Sequence, residues 1–412
     1  MDYEESKHWL FSLHVEMKDY DLKKMRLLIK LAKLDLQSLK TVHVAGSNGK
    51  GSTCAYISST LTEQGYKTGF YSSPHILEPT ERMRINGKKI PKEKFAQLAD
   101  YFRKLMENSS VEANFFEVVT AMAFKYFIEE KVDILVAETG MGGRLDATNI
   151  LDGKVCAITS ISLEHTQFLG NTIKKIAAEK AGIIKENSAV VFAHNNKGKK
   201  IIIEKAKEKN AMIFEVKWKN KRSQKFGLVK PEKIPRLRTK MLGTYQIENA
   251  AVAAAAMVAL REKGFAVSDK SIRTGIAKTI WRGRLETLQK KPLVIVDAAH
   301  NPQGWHELFK EVRKMKFLKM HVVFGAMADK ELDKELKQNL RKAHTLILTK
   351  SDSPRAFEPE ELRKKIGAGK IEMDAKEAIV GAINSARKDD LVLITGSIHV
   401  IGYAYKVFSI RG

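Results

Sequence analysis

The chain has 412 residues, 44% of them hydrophobic and 29% charged, a soluble globular composition with material for two domains that each bury a core. Its formal net charge of +24 leaves three readings open: a nucleic-acid partner, a polyanionic small substrate drawn in by the protein's field, or a lysine-rich surface with no partner. The lysines are spread over every predicted helix with no arginine-aromatic stripe, so no nucleic-acid partner is expected.

Residues 4–35 open the chain with helical periodicity, placing Trp9, Leu10, Leu13, Met25, Leu28, Ile29, Leu31 and Leu34 on apolar faces that suit the cover of a first strand. That strand, from Thr41 to Ala45, breaks into Gly46-Ser47-Asn48-Gly49-Lys50-Gly51-Ser52-Thr53. Three glycines let the backbone curl with its N–H groups inward, and Lys50 adds a full positive charge. A helix starting near Ser52 aims its positive end at the same point, so the turn reads as a phosphate cradle for a nucleoside triphosphate. It departs from G-x-x-x-x-G-K-[ST]: Val44 stands where the first glycine belongs, and Gly51 separates Lys50 from the hydroxyl. A ligand-free glycine turn is the plainer reading, but a lysine among three glycines has no packing role.

Cys54 to Gln64 reads as a helix ended by Gly65, and Thr68 to Tyr71 as the second strand. Ser72 to Arg84, marked by Pro74 and Pro79, reads as an irregular loop over the nucleotide site. Pro91 opens a helix and Phe115 to Glu130 forms another. Asp133 to Ala137 is a short continuous apolar run, as a buried parallel strand requires, and Glu138 with the glycine-rich Thr139 to Asn149 follows it. Ligands bind beyond the carboxyl ends of strands in open α/β sheets, so Glu138 falls in the same region as Lys50.

Val155 to Ile161, the next strand, also ends in polar chemistry at Ser162-Leu163-Glu164-His165-Thr166, and this position makes His165 a candidate although a lone histidine is more often structural. Thr172 caps a helix that runs through Lys180 to Gly182. Strand and helix signals alternate from Ala189 to Val216, a basic irregular stretch spans Lys217 to Thr239, and Gln246 to Lys263 is a helix alanine-rich enough to pack closely on a neighbour. Beyond a boundary at 287–292 the βαβ rhythm restarts, with strands at Leu293–Val296, His321–Phe324, Thr345–Leu348, Ile371–Met373 and Leu391–Thr395. The first of these ends in Asp297-Ala298-Ala299-His300-Asn301.

The expected fold is therefore α/β in two domains: an amino-terminal P-loop ATPase-like parallel sheet flanked by helices over 1–287, and a smaller carboxyl-terminal Rossmann-like α/β domain over 292–412. The alanine-rich run Ala250 to Leu260 is too short to span a bilayer and no basic-then-apolar leader opens the chain, so no membrane partner and a cytoplasmic location are expected. Cys54 and Cys156 have no C-x-x-C spacing and read as reduced core residues.

Taken together, these motifs resemble the folylpolyglutamate synthase and dihydrofolate synthase family, a branch of the Mur ligase superfamily, in order from residue 41 to about 405. Ala45 to Ser52 is similar to the family's cradle with its GKGS ending, Ser73-Pro74-His75 to its omega loop, and Gly140 to Asn149 to its G-x-G-G-R-x-D-A-T-N signature. The resemblance implies an amide ligase that uses ATP to join L-glutamate to a folate, with dihydropteroate as an alternative or additional acceptor. It implies that Gly46, Asn48, Gly49, Lys50, Gly51 and Ser52 hold ATP together with Asn249, Arg284 and Asp297, and that Ser73 and Glu138 hold one Mg²⁺ while His165 serves a second. It further implies a carbamylated Lys180, His300 and Ser397 lining the reaction site, and Phe115, Phe116, Asp146 and Ala147 around the pterin-containing substrate. Tyr245, Glu164 and Ala298 stand where the family usually has His, Asp and Gly, and Lys18 to Met25 lacks its glycine-leucine and arginine pattern.

A carboxylate must first be converted to an acyl phosphate before an amine can attack it, and two domains suit this plan, with ATP and acceptor expected on the first and glutamate on the second; the expected form is a monomer. Two rivals were weighed. A basic P-loop ATPase acting on nucleic acid leaves Glu138, His165 and His300 at successive strand ends without a role. A Mur-type ligase for a peptidoglycan precursor would ordinarily carry Thr or Ser where this chain has Gly51.

Overall fold

The computed structural model describes residues 1–13, 21–220 and 224–409, so Lys18, Asp19 and Tyr20 and the expected helical faces within 14–20 lie outside the described residues. The chain divides into two compact units: Met1–His75, Pro79–Lys240 and Gln246–Thr279 make the first, and Ile76–Glu78, Met241–Tyr245 and Ile280–Gly412 the second.

The first unit is built on ten strands, β1 (Thr41–Ala45), β2 (Thr68–Tyr71), β3 (Met83–Ile85), β4 (Lys88–Lys89), β5 (Ile134–Glu138), β6 (Gly153–Ile158), β7 (Ala189–Ala193), β8 (Met212–Asn220), β9 (Lys225–Lys230) and β10 (Ile234–Arg238). They lie in the order β10-β9-β8-β7-β6-β1-β5-β2-β3-β4, and the central run from β8 to β2 is parallel. β1, β5 and β7 are buried at every residue, because helices cover both faces of a parallel sheet and neither can be polar. Helices Lys92–Ser109 and Phe115–Glu129 bring Phe95, Phe102, Phe124 and Phe127 to one core, while Ile173–Ala181 and Lys199–Glu208 bring Ile176 and Ile202 to another.

Two expectations change here. Lys217 to Thr239 is not irregular: β8, β9 and β10 form an antiparallel meander at the sheet edge. Phe226, Leu228, Ile234 and Leu237 alternate into the core, but lysines crowd the positions between them and a bulge between Ile234 and Leu237 breaks the count of two. Ten lysines and arginines face one glutamate between Lys217 and Lys240, so the chain's charge is more concentrated than its helices suggest. Like charges even stand opposite each other at Lys217 and Lys230 and at Lys225 and Arg238. The strand expected over Val155 to Ile161 ends at Ile158, and a short helix, Thr166–Leu169, ended by Gly170 at φ 89°, precedes the helix Ile173–Ala181 that Thr172 caps.

The second unit carries β11 (Glu286–Lys290), β12 (Leu293–Asp297), β13 (Met320–Phe324), β14 (Thr345–Leu348), β15 (Lys370–Ile371) and β16 (Leu391–Thr395) in the order β11-β12-β16-β13-β14-β15, parallel apart from β11. β11 runs through residues 287–290, so the stretch expected as a boundary is part of this sheet. Helices Pro302–Val312, Lys334–Arg341 and Pro359–Ile366 pack on one face, and Ala375–Ser385 and Ile398–Val407 on the other. Among the described residues no helix is long and apolar enough to cross a membrane. Cys54 and Cys156 are both buried and free.

The meander gives a direct test of the packing. Leu237→Ala, which empties a fully buried site, is expected to cost about 2–5 kcal/mol. Lys225→Glu, which ends a like-charge pairing, should raise the melting midpoint. Thermal unfolding of both variants checks the pair, and a lowered midpoint in Lys225→Glu contradicts it.

Candidate active site

β1 ends at Ala45 and the helix Lys50–Gln64 begins immediately after Gly49, so the cradle takes only four residues. Gly49 has φ 89°, and a Cβ there would stand 2.2 Å from Oδ1 of Asn249. Gly46 is as crowded, with a Cβ position 1.7 Å from Oγ1 of Thr159. Lys50 folds its ammonium back onto the loop, donating to the carbonyls of Gly46 at 3.0 Å and Ser47 at 3.4 Å.

The segment after β6 is zipped to the cradle. The N–H of Ser47 donates to the carbonyl of Ser160 at 2.8 Å, Ser47 Oγ accepts from the N–H of Ser162 at 3.0 Å, and Asn48 bridges to Ser160. This seam carries the chain from the cradle's side straight into Glu164 and His165. His165 takes φ 44° as it caps the helix Thr166–Leu169, a left-handed backbone that a histidine adopts only where its surroundings hold it.

Lys180 reaches the same region from the helix Ile173–Ala181 and is wholly buried, with Nζ donating to Oε1 of Glu164 at 2.5 Å. Burial, with Lys50 adding and Glu164 opposing, pushes the Lys180 amine down to about 8. Burial alone would raise Glu164, but Lys180, Lys50 and His165 hold it at about 2, so the carboxylate is ionised. Glu138 ends β5 with its Cα beside Val44 and accepts from the N–H of Ser73 at 3.2 Å, which joins the first two expected metal ligands.

Asn249 and Gln246 belong to the long helix Thr244–Glu262, and a buried chain of amides leads from Asn249 Nδ2 to Gln246 Oε1 and from Gln246 Nε2 to Ser52 Oγ. Phe116 lies against Gly140 and Asp146, for a Cβ on Gly140 would come within 2.5 Å of the Phe116 ring and 3.1 Å of Asp146 Oδ2. Phe115 stacks on Phe11 at 5.3 Å between ring centroids, and the Arg82 guanidinium lies 5.1 Å from its centre. Ala147 is buried at the head of the short 3₁₀ turn Ala147–Ile150 that Asp146 caps.

Arg284, Asp297, His300 and Ser397 are in the second unit. Asp297, at the end of β12, accepts from the N–H groups of Leu285 at 2.7 Å and Ala299 at 2.8 Å, and burial raises its pKa against the pull of Arg284. His300 Nδ1 donates to the carbonyl of Ala298 at 3.0 Å. Ser397 follows β16, the neighbour of β12, and its Oγ caps the helix Ile398–Val407 by accepting from Val400.

Ser47, Ser162, Gln246 and Arg82 were not singled out in the sequence. A Thr-Ser-x-Ser run directly after a strand was the available signal for the seam. Gln246 gave none, because its partner Ser52 is 194 residues away, and Arg82 lay inside a stretch read as an irregular loop.

An apolar parallel sheet, a glycine cradle and strand-end carboxylate and histidine define the class, and the sequence matches it: residues 44–257 fit the Mur ligase middle domain and residues 283–398 the Mur ligase glutamate ligase domain. The dihydrofolate synthase/folylpolyglutamate synthase of Bacillus subtilis is 36% identical over 385 residues, covering 89% of each chain. Escherichia coli FolC in complex with DHPP and ADP superposes with a TM-score of 0.89 at 30% identity over 100% of this chain and 98% of that one. A bifunctional folylpolyglutamate synthase/dihydrofolate synthase with Mn, AMPPNP and L-glutamate bound gives 0.88 at 28% identity, covering 99% and 98%. The chain belongs to the dihydrofolate synthase and folylpolyglutamate synthase family of Mur ligases, and with it to the ligases that form carbon–nitrogen bonds.

Proposed function

We propose that this protein uses ATP to join L-glutamate to the carboxylate of a folate, with dihydropteroate and reduced folates as the acceptors to be distinguished. The observation that carries the reading is the cradle itself, shaped by Gly46 and Gly49 and sewn along Ser47 to the segment bearing Glu164 and His165. The solved relatives in complex with ADP and DHPP, or with AMPPNP, Mn and L-glutamate, support the same three substrates here.

In this reading Gly46, Asn48, Gly49, Lys50, Gly51 and Ser52 receive the phosphates, and Asn249, Arg284 and Asp297 complete nucleotide binding. Among the described residues no three His, Cys, Asp or Glu side chains gather around one point. A Mg²⁺ ion fits such a sparse donor set, since it commonly takes one or two carboxylates and draws its other oxygens from phosphate and water. Ser73 and Glu138 would hold one ion and His165 a second. Bound there, Mg²⁺ neutralises phosphate charge.

The acceptor, bordered by Phe115, Phe116, Asp146 and Ala147, presents its carboxylate to the γ-phosphate; attack releases ADP and leaves an acyl phosphate, at whose carbon the amine of glutamate then attacks, forming the amide and expelling inorganic phosphate and a proton. His300, whose Nδ1 donates to the carbonyl of Ala298, suits stabilising the tetrahedral oxyanion that this attack forms. Ser397 and the N–H groups opening its helix suit a glutamate carboxylate.

Glutamate-dependent release of ADP, assayed with dihydropteroate and tetrahydrofolate separately, tests the reading. ADP release that ignores glutamate and responds to DNA or RNA would overturn it.

Lys180 carries a second expectation, that it works as a carbamate. Its amine adds to CO₂, giving N–COO⁻ and a proton, and burial that depresses the amine's pKa favours the neutral form that reacts. Activity should then fall when bicarbonate is stripped and return when it is restored. Lys180→Ala should be nearly inactive and partly rescued by acetate. Full activity of that variant without an added anion contradicts the carbamate.

A further inference from the structure

His43 sits in the middle of β1, fully buried, in a line of hydrogen bonds that the chemistry above does not use. Its Nε2 is 2.8 Å from Oγ1 of Thr148, whose hydroxyl donates to Oδ1 of Asp146 at 2.5 Å. Oδ1 also accepts from the N–H of Thr148 at 3.0 Å, and Oδ2 accepts from the N–H groups of Gly140 and Met141, each at 2.9 Å. Four donors on two oxygens leave no place for a carboxyl hydrogen, so Asp146 is an anion even though burial raises its pKa.

Thr148 has one hydroxyl hydrogen and Asp146 receives it, so Thr148 must accept from His43. The imidazole hydrogen is therefore on Nε2, and Nδ1 is a buried acceptor without a hydrogen-bond partner among the described residues. Burial, reinforced by Lys185, pushes the His43 pKa down to about 3, so the ring stays neutral at ordinary pH. The line joins two functional segments. At one end is the strand that leads into the cradle three residues later; at the other is the loop that starts directly after Glu138 and packs on Phe116.

We propose that His43 and Thr148 are positioning residues for the acceptor substrate, holding Asp146 as a clamp that shapes the loop 140–147 from beneath. The inference rests on the ligase reading. The acceptor then meets the backbone of that loop and the Phe116 ring, while the Asp146 carboxylate is committed within the chain. Removing the Thr148 hydroxyl leaves both the His43 N–H and one Asp146 oxygen short of a partner in a dry site.

Thr148→Val deletes the hydroxyl at nearly constant volume and Thr148→Ser keeps it; His43→Leu deletes the donor and His43→Gln keeps an N–H near Nε2. Thr148→Val and His43→Leu are expected to raise the KM for the folate acceptor about tenfold, with the KM for ATP within about twofold of the wild type. Thr148→Ser and His43→Gln should recover the acceptor KM to within about threefold. Nitrogen NMR of wild-type protein labelled at histidine should show one ring protonated on Nε2 and unchanged from about pH 5 to pH 8. An unchanged acceptor KM in Thr148→Val, parallel rises in both KM values, or a His43 ring that titrates in this range or carries its hydrogen on Nδ1 overturns the proposal. If His43→Leu does not fold, the Thr148 pair and the spectrum decide. A wild-type protein that ligates no folate acceptor defeats the ligase reading instead, and the spectrum still judges the hydrogen-bonded line.

Discussion

Crowding around the cradle backbone is the constraint on which the rest of the first unit depends. At Gly46 and Gly49 the space a side chain would need is already filled by Thr159 and Asn249, so the loop has been closed from both sides by other segments. One side is the strand-end segment after β6, the other the helix Thr244–Glu262 with its buried amide chain to Ser52. A loop held this way has its backbone fixed in advance, which on the proposed reading makes phosphate binding cheap in entropy and transfer geometry reproducible.

The same seams decide where the charges go. Glu164 and His165 are delivered beside the cradle because Ser47 is bonded to Ser162, and Lys180 follows because its helix starts afresh at Thr172. A buried lysine and glutamate in contact are a poor source of net stability, since desolvation offsets most of their attraction. On the proposed reading the pair serves chemistry instead, Lys180 as the amine that would take up CO₂ and Glu164 as its charged neighbour.

Much of this was readable in the chain. Strands β1, β5, β6 and β12 are short, largely apolar runs, and the candidates Lys50, Glu138, His165 and His300 stand at or beyond their carboxyl ends, His165 farthest because β6 stops at Ile158. What stayed hidden depends on contacts across long separations: Ser47 with Ser162 spans 115 residues and Gln246 with Ser52 spans 194. The meander was obscured by lysines between its core residues, and the helix Thr166–Leu169 by its length of four residues, too short for a helical period to show. His43 looked like an ordinary strand residue because its significance lies in Thr148 and Asp146, a hundred positions away.

The central claim is that the acceptor carboxylate is phosphorylated before the amide forms. Labelling both oxygens of that carboxylate with heavy oxygen and following the label through one turnover tests it most directly. Inorganic phosphate should gain one labelled oxygen for each amide formed, the oxygen that bridged carbon and phosphorus in the acyl phosphate. Amide formed with unlabelled phosphate would mean that ATP is used in some other way, and the account of the site given above would be wrong.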